Sequence, residues 1–348
     1  MPMELVYWST AVKVFNFTIK NNTIHDLYGG GIVIVAPSEG NITAGSYYPY
    51  GFDVNGNTIY NIASNGAVSF DTGMFSTPTQ SYVRNNIITN IGLVSVANVD
   101  ALQLEYTQNM YVTNNYINGI YTSLPDGDGI EIDWAWADAT KLSNGDIVCG
   151  NTVTGANTGV TSSGIRVFAG TNTTVCNNLT YGNYIGISNP NSNTTGNVFY
   201  NNTMVNNSYG AGVDGLSGSG VATTWIDNIF AYNSVYGFKI SNNFMAPTET
   251  YNDWYSNGTN IYNVSGATSV AISATDLTSN PNFVNVASKN YSLNDGSPMI
   301  GSGFRYLGNY TYLNTSDITG FTTNAPTPRE PNFCPTVIPK PLVLFPPL

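Results

Sequence analysis

The sequence predicts an all-β solenoid of about eight to ten coils, and three observations carry that expectation. The first is composition. The 348 residues include 48 Asn, 35 Gly and 24 Tyr, while only 9% are charged, against about 25% in an ordinary soluble domain. The second is a repeat built on Asn. The third is apolar alternation with period two on both sides of that Asn, the signature of strands rather than helices.

The repeat is anchored at Asn22, Asn57, Asn86, Asn115, Asn151, Asn178, Asn202 and Asn228, with spacings of 35, 29, 29, 36, 27, 24 and 26 residues. Three positions before each anchor stand Ile19, Val54, Val83, Val112, Val148, Val175, Phe199 and Trp225; two positions after stand Ile24, Ile59, Ile88, Ile117, Val153, Thr180, Met204 and Phe230. Only Thr180 among these sixteen is not apolar. The residue just before each anchor is always Asn, Gly or Asp, types that tolerate the left-handed backbone of a bend. Asn side chains stacked at such a bend can form an amide ladder along the solenoid axis.

A further strand follows each anchor: Gly31–Val35, Gly66–Phe70, Ala101–Glu105, Gly129–Asp133, Gly164–Phe168, Tyr184–Ser188, Gly210–Asp214 and Gly237–Ser241. The second and fourth residues of each are small or apolar and are expected to face inward. Turns of unequal length between the strands account for the uneven period.

This pattern resembles the right-handed parallel β-helix proteins of the pectate-lyase-like superfamily. The resemblance covers residues 15 to 305. Its last part is Asn280-Pro281-Asn282-Phe283, Tyr291-Ser292-Leu293 and Gly296-Ser297-Pro298-Met299-Ile300-Gly301, which is similar to the closing segment of many bacterial β-helix carbohydrate-active proteins. Residues 1–14 are expected to be a lead-in or truncated cap. Residues 306–348 form a C-terminal extension, Pro-rich from 326, expected to lie extended along the outside of the solenoid. The resemblance implies a carbohydrate-active protein. Gly129–Asp133, preceded by Asp126-Gly127-Asp128, is similar to the Asp-Gly-Ile-Asp-Ile strand of polygalacturonases, but the Asp-Asp, Gly-His-Gly and Arg-Ile-Lys signatures of those enzymes are not in this sequence. The sole histidine, His25, sits beside an anchor and reads as a turn residue.

Cys149 and Cys176 each lie two residues before an anchor. Neighbouring coils would bring their Cα atoms to about 4.8 Å, within disulfide reach; a disulfide and a reduced stacked pair both fit. Because Val148 and Val175 face inward, the cysteines are expected to face outward or to sit at the bend. Cys334 has no evident partner. Thirteen Asn-x-Ser/Thr sequons, Asn16, Asn41, Asn172, Asn257 and Asn309 among them, are compatible with an extracellular or cell-surface glycoprotein.

Charge concentrates in one place. Eight of the 21 acidic residues fall between Asp100 and Asp146. Outward positions of the second strand are expected to form two columns. One runs Val33, Val68, Gln103, Glu131, Arg166, Gly186, Gly212, Lys239. The other runs Val35, Phe70, Glu105, Asp133, Phe168, Ser188, Asp214, Ser241. Glu105 and Asp133 would then be neighbours at about 5 Å, with Glu131 and Asp133 about 6.5–7 Å apart on one strand. Close carboxylates cannot all ionise independently. Glu105, Glu131, Asp133 and Arg166 are therefore the candidate catalytic residues, since cleavage of a glycosidic bond by hydrolysis needs an acid beside an ionised carboxylate. Elimination instead needs the sugar's carboxylate neutralised by Arg166 or by Ca²⁺. Asp126, Asp128 and Asp133 are the candidate Ca²⁺ ligands. Gln103, Trp134, Trp136, Phe168 and Lys239 are the candidate substrate contacts.

The composition also excludes. A net charge of −11 and a pI near 4.2 leave no basic footprint for nucleic acid. No apolar run is long enough for a membrane span. Two functional classes remain. One is a lyase or hydrolase acting on an extracellular polysaccharide. The other is a non-catalytic surface glycoprotein: an adhesin, a sheath or envelope component, or a carbohydrate-binding spike.

Overall fold

The structure is a computed structural model that describes residues 5–8, 16–35, 50–64, 66–71, 80–94, 99–121, 127–134, 140–157, 161–190, 194–213, 223–241, 248–300 and 302–303. These residues form strands and turns and no helix. Three long sheets account for nearly all strands. Sheet I has 11 strands, and sheets II and III have nine each. Each coil visits II, III and then I; one such coil is Asp53–Asn55, Thr58–Ile62 and Val68–Asp71. Within each sheet the strands stack in sequence order and in parallel, until the antiparallel hairpin of Thr259–Asn263 with Thr268–Val270 ends sheet I. This is a parallel β-helix.

The inward columns explain why these segments are strands. In sheet II, Ile19, Val54, Val83, Val112, Val148, Val175, Phe199 and Trp225 are successive register partners. In sheet III the column runs from Ile24 through Ile59, Ile88, Ile117, Val153, Thr180 and Met204 to Phe230 and Trp254. β-branched residues fit a pleated surface. Burying each large apolar side chain contributes about 1.5–3 kcal/mol.

The bend between sheets II and III is built from two residues per coil. The first is left-handed: Asn21, Gly56, Asn85, Asn114, Gly150, Asn177, Asn201 and Asp227 all have φ between 52° and 70°. The second is the anchor Asn. Its backbone N and Nδ2 both donate to Oδ1 of the next anchor, as Asn115 does to Asn151 at 3.0 and 2.9 Å. Nδ2 also donates to a backbone carbonyl, Val83 O in this case, at 2.9 Å. The ladder runs unbroken from Asn22 to Asn252. A second ladder, Asn183, Asn207, Asn233 and Asn257, repeats the device at the bend from sheet III into sheet I.

At that same bend a Cβ on Gly164 or Gly210 would run into the carbonyl oxygen of the next coil. The neighbouring coil passes so close at these two positions that only Gly avoids the contact.

Some expectations need correction. The strand Val68–Asp71 is shifted by one residue. Val68 and Phe70 are fully buried in the core, in register with Leu102 and Leu104, and Ser69 and Asp71 take the outward places. Phe70 has the most apolar surface to hide and sets the register. Further on, Arg166 pairs with Ser188 rather than with Gly186. Cys149 and Cys176 are in register and joined by a disulfide with Cα atoms 4.6 Å apart. They sit at the bend, just before the left-handed Gly150 and Asn177, and are fully buried outside the main core with Ile147 and Tyr200 packed against them. His25 lies in the strand Thr23–Leu27, stacked on Tyr60 at 4.8 Å, with Nδ1 2.7 Å from Asp26 Oδ2, and is not a turn residue.

The closing segment folds back on the outside of sheet III. Phe283, Tyr291 and Met299 pack with Tyr181, Val205, Ile229 and Ala231 in a second apolar cluster. The Pro-rich extension, Cys334, Asp214, and the sequons at Asn41 and Asn309 lie outside the described residues.

Candidate functional site

Glu105, Glu131 and Asp133 from the acidic stretch, together with Arg166, fall on consecutive strands of sheet I, Leu102–Glu105, Ile130–Asp133 and Ser163–Val167. The register brings Gln103, Glu131 and Arg166 into one row and places Glu105 beside Asp133. Gln103 Nε2 donates to Glu105 Oε1 at 3.2 Å. Asp133 Oδ1 accepts from the backbone N of Trp134 at 2.7 Å.

The centre of the site lies one turn upstream of those strands. Asp100 and Asp128 each stand two residues before the first inward residue of a strand, Leu102 and Ile130, so they stack as that pair does. Asp128 N donates to Asp100 Oδ1 at 2.7 Å. Asp128 Oδ1 accepts from Ser163 N. Its Oδ2 lies 3.2 Å from Arg166 Nη1, which is also 3.6 Å from Glu131 Oε1. One oxygen each of Asp100, Asp128 and Glu131 falls within 4.8 Å of the others. Nothing donates to Asp100 Oδ2, although the Asp100 and Glu131 carboxyls lie within hydrogen-bonding reach.

These acids are not on a solvated face as the alternation suggests. Glu105 and Glu131 are each only 6% exposed, Asp100 2% and Asp128 0%. Burial sets the charge of the two aspartates. It pushes Asp100 well above the carboxylate range, reinforced by the Glu131 and Asp128 charges. It pushes Asp128 up to about 7, with Arg166 pulling the other way. Among the described residues, three carboxyls of the cluster face one guanidinium, and close carboxyls do not ionise independently.

The aromatic neighbours are partly in place. Arg166 lies over the Phe168 ring at 4.5 Å, and Trp134 packs on Phe168 at 4.8 Å. Lys239 stands three coils from Arg166, through Ser188 and Gly212, roughly 14 Å away. It lies over Tyr209 instead, at 5.1 Å. Trp136 and Asp126 lie outside the described residues. Of the candidate Ca²⁺ ligands, Asp128 joins the cluster, whereas Asp133 pairs with Glu105 on the next row. Asp100 escapes a reading that begins each strand at Ala101; its spacing to Leu102, equal to that of Asp128 to Ile130, is the signal that finds it.

The fold has a solved counterpart. The crystal structure of pectate lyase Pel9A superposes with a TM-score of 0.50 at 12% identity, covering 90% of this chain and 89% of that one. At that identity the likeness is one of fold. No protein-family model matches the chain, and no curated protein matches it in sequence.

Proposed function

We propose that this β-helix protein cleaves glycosidic bonds in an extracellular polysaccharide, with Glu131 as proton donor and Asp133 as the ionised partner. One observation carries the reading: among the described residues, one guanidinium forms ion pairs with the buried Asp100–Asp128–Glu131 group. A proton held between Asp100 and Glu131 satisfies Asp100 Oδ2 and leaves Glu131 a neutral acid on the outward row of sheet I. A neutral carboxyl beside an ionised one is what glycoside hydrolysis requires. Glu131 and Asp133 stand about 6.5–7 Å apart along one strand; carboxyls held at a similar separation would suit inversion with a water between them.

Elimination fits less well. Arg166 is already engaged by Asp128 and Glu131, so its charge is committed before a uronate arrives. Ca²⁺ needs six to eight oxygens, and both Asp128 oxygens already have partners; the donor set suits a proton better than Ca²⁺. A second reading, a non-catalytic surface glycoprotein, is favoured by the near-complete burial of Glu105 and Glu131. The exported setting is part of the proposal and agrees with the disulfide. No helix of the described residues is long and apolar enough to cross a membrane.

The test is a panel of neutral and acidic polysaccharides, each incubated with and without added Ca²⁺. New reducing ends without unsaturated uronate support hydrolysis. Unsaturated uronate that depends on Ca²⁺ would overturn the assignment in favour of elimination. Saturable binding with no cleavage would give the scaffold reading.

A further inference from the structure

The C-terminal end of the core carries a second carboxyl pair, independent of the sheet I cluster. After Trp225 the next member of the sheet II inward column is Glu249, where every earlier member is apolar. Asn252 follows three residues later as a ninth anchor. Its backbone N donates to Asp276 Oδ1 at 2.9 Å, so an acid stands 24 residues on, where the next Asn would. The two acids converge on one backbone N–H: Ser273 N is 2.8 Å from Glu249 Oε1 and 3.1 Å from Asp276 Oδ2. Asn252 Nδ2 donates to Glu249 Oε2 at 3.3 Å, and Trp254 Nε1 to Asp276 Oδ2 at 2.7 Å. Trp254 in turn stacks on Phe230 at 4.1 Å, and Val270 and Ile272 pack against the same core end.

We propose that Glu249 and Asp276 form a proton-dependent stopper: with one proton between them, residues 264–278 seal the last coil, and without it that segment detaches while the coils above stay folded. A solenoid end exposes apolar core and open strand edges and needs a cover. An amide ladder would invite a further coil. A carboxyl side chain has no amide donor to pass to a further coil, so Asp276 terminates the ladder.

Two half-buried carboxylates sharing one donor cannot both stay ionised without repulsion. The facing groups make this worse. The strand Asp253–Tyr255 contributes Asp253, whose Oδ1 accepts from Ser279 N at 3.1 Å. The strands Thr224–Ile226 and Thr268–Val270 contribute no titratable group. Among the described residues no Lys or Arg forms an ion pair with any of the three acids. Burial, then the neighbouring Asp276, pushes Glu249 up to about 8. A raised carboxyl contributes stability that is present below the ordinary carboxylate range and is lost as pH rises through about 8.

Hydrogen exchange by mass spectrometry on the whole chain tests this, at pH 5 and pH 9, corrected for intrinsic exchange. Protection of 264–278 should fall at least about tenfold at pH 9, relative to the interior strands Ile147–Cys149 and Thr152–Ala156. Glu249→Gln should hold the fall to within about threefold. Asp276→Asn, which keeps the acceptor for Asn252 and gains a donor toward Glu249, should do the same and covers the case in which the first variant misfolds. Unchanged protection in the wild type from pH 5 to 9 would overturn the stopper. So would a full fall that persists in both variants, or one abolished by Asp253→Asn alone.

Discussion

Two buried polar regions run along this solenoid, and they obey opposite rules. In the Asn ladder each side chain carries both a donor and an acceptor. Identical residues stacked one coil apart therefore satisfy one another, and the ladder continues for as long as the coils do. In the sheet I cluster the stacked residues are acids. An ionised carboxylate only accepts, so Asp100 above Asp128 cannot repeat the arrangement, and Asp100 Oδ2 is left with no donor. The same stacking that makes a scaffold from Asn makes a charge-deficient site from Asp and Glu. Such a site persists only with a proton, a cation or a partner residue such as Arg166.

The difference can be broken from the ladder side first, where the expected effect is largest. Asn115→Ala strips the partner from Val83 O and from the N and Nδ2 of Asn86. It should cost about 3–5 kcal/mol in urea unfolding; a loss below about 1 kcal/mol would mean that the ladder follows the fold rather than holding it. Next is the disulfide that clamps two coils of sheet II. Cys149→Ser, closing no loop between residues 27 apart, should cost about 3 kcal/mol, read by the same method.

The cluster should respond in the opposite sense. Asp100→Asn supplies a permanent donor toward Glu131 in place of the shared proton, and should stabilise by about 1–2 kcal/mol at pH 8. The pH dependence of the wild type follows from the same groups. Asp128 and Asp146 are both raised to about 7 by burial. Their contributions are present below about pH 4 and disappear as pH rises through 7. The melting temperature should therefore be higher at pH 5 than at pH 8; a rise toward pH 8 would contradict the burial of these acids. The smallest effect belongs to a half-exposed surface pair. Arg84 Nε and Nη2 each lie 2.8 Å from an Asp53 oxygen on the outside of sheet II, and Arg84→Ala should cost about 0–1 kcal/mol.

Much of this was readable from the residues alone. The residue before each anchor had to tolerate positive φ, and Asn, Gly or Asp is what stands there. The row Gln103, Glu131, Arg166 and the pair Glu105–Asp133 followed from alternation. The slip at Val68 did not, because Ala67, Val68 and Phe70 are all apolar and only packing of the largest chooses among them. Burial of Glu131 was hidden because what covers a sheet face is set by turns that alternation does not reach. Glu249 was missed for a simpler reason: the anchors are plain up to Asn228, and the next one is preceded by an acid where the pattern calls for an apolar residue.

The most direct test of the site is Asp100→Asn beside Glu131→Gln, each followed by thermal melting and by polysaccharide cleavage at one pH. The account predicts that both variants melt at or above the wild-type temperature at pH 8 while cleavage falls by about two orders of magnitude. Wild-type cleavage in both, or loss of folding in both, would contradict it, and the buried acids would then belong to the scaffold like the asparagines beside them.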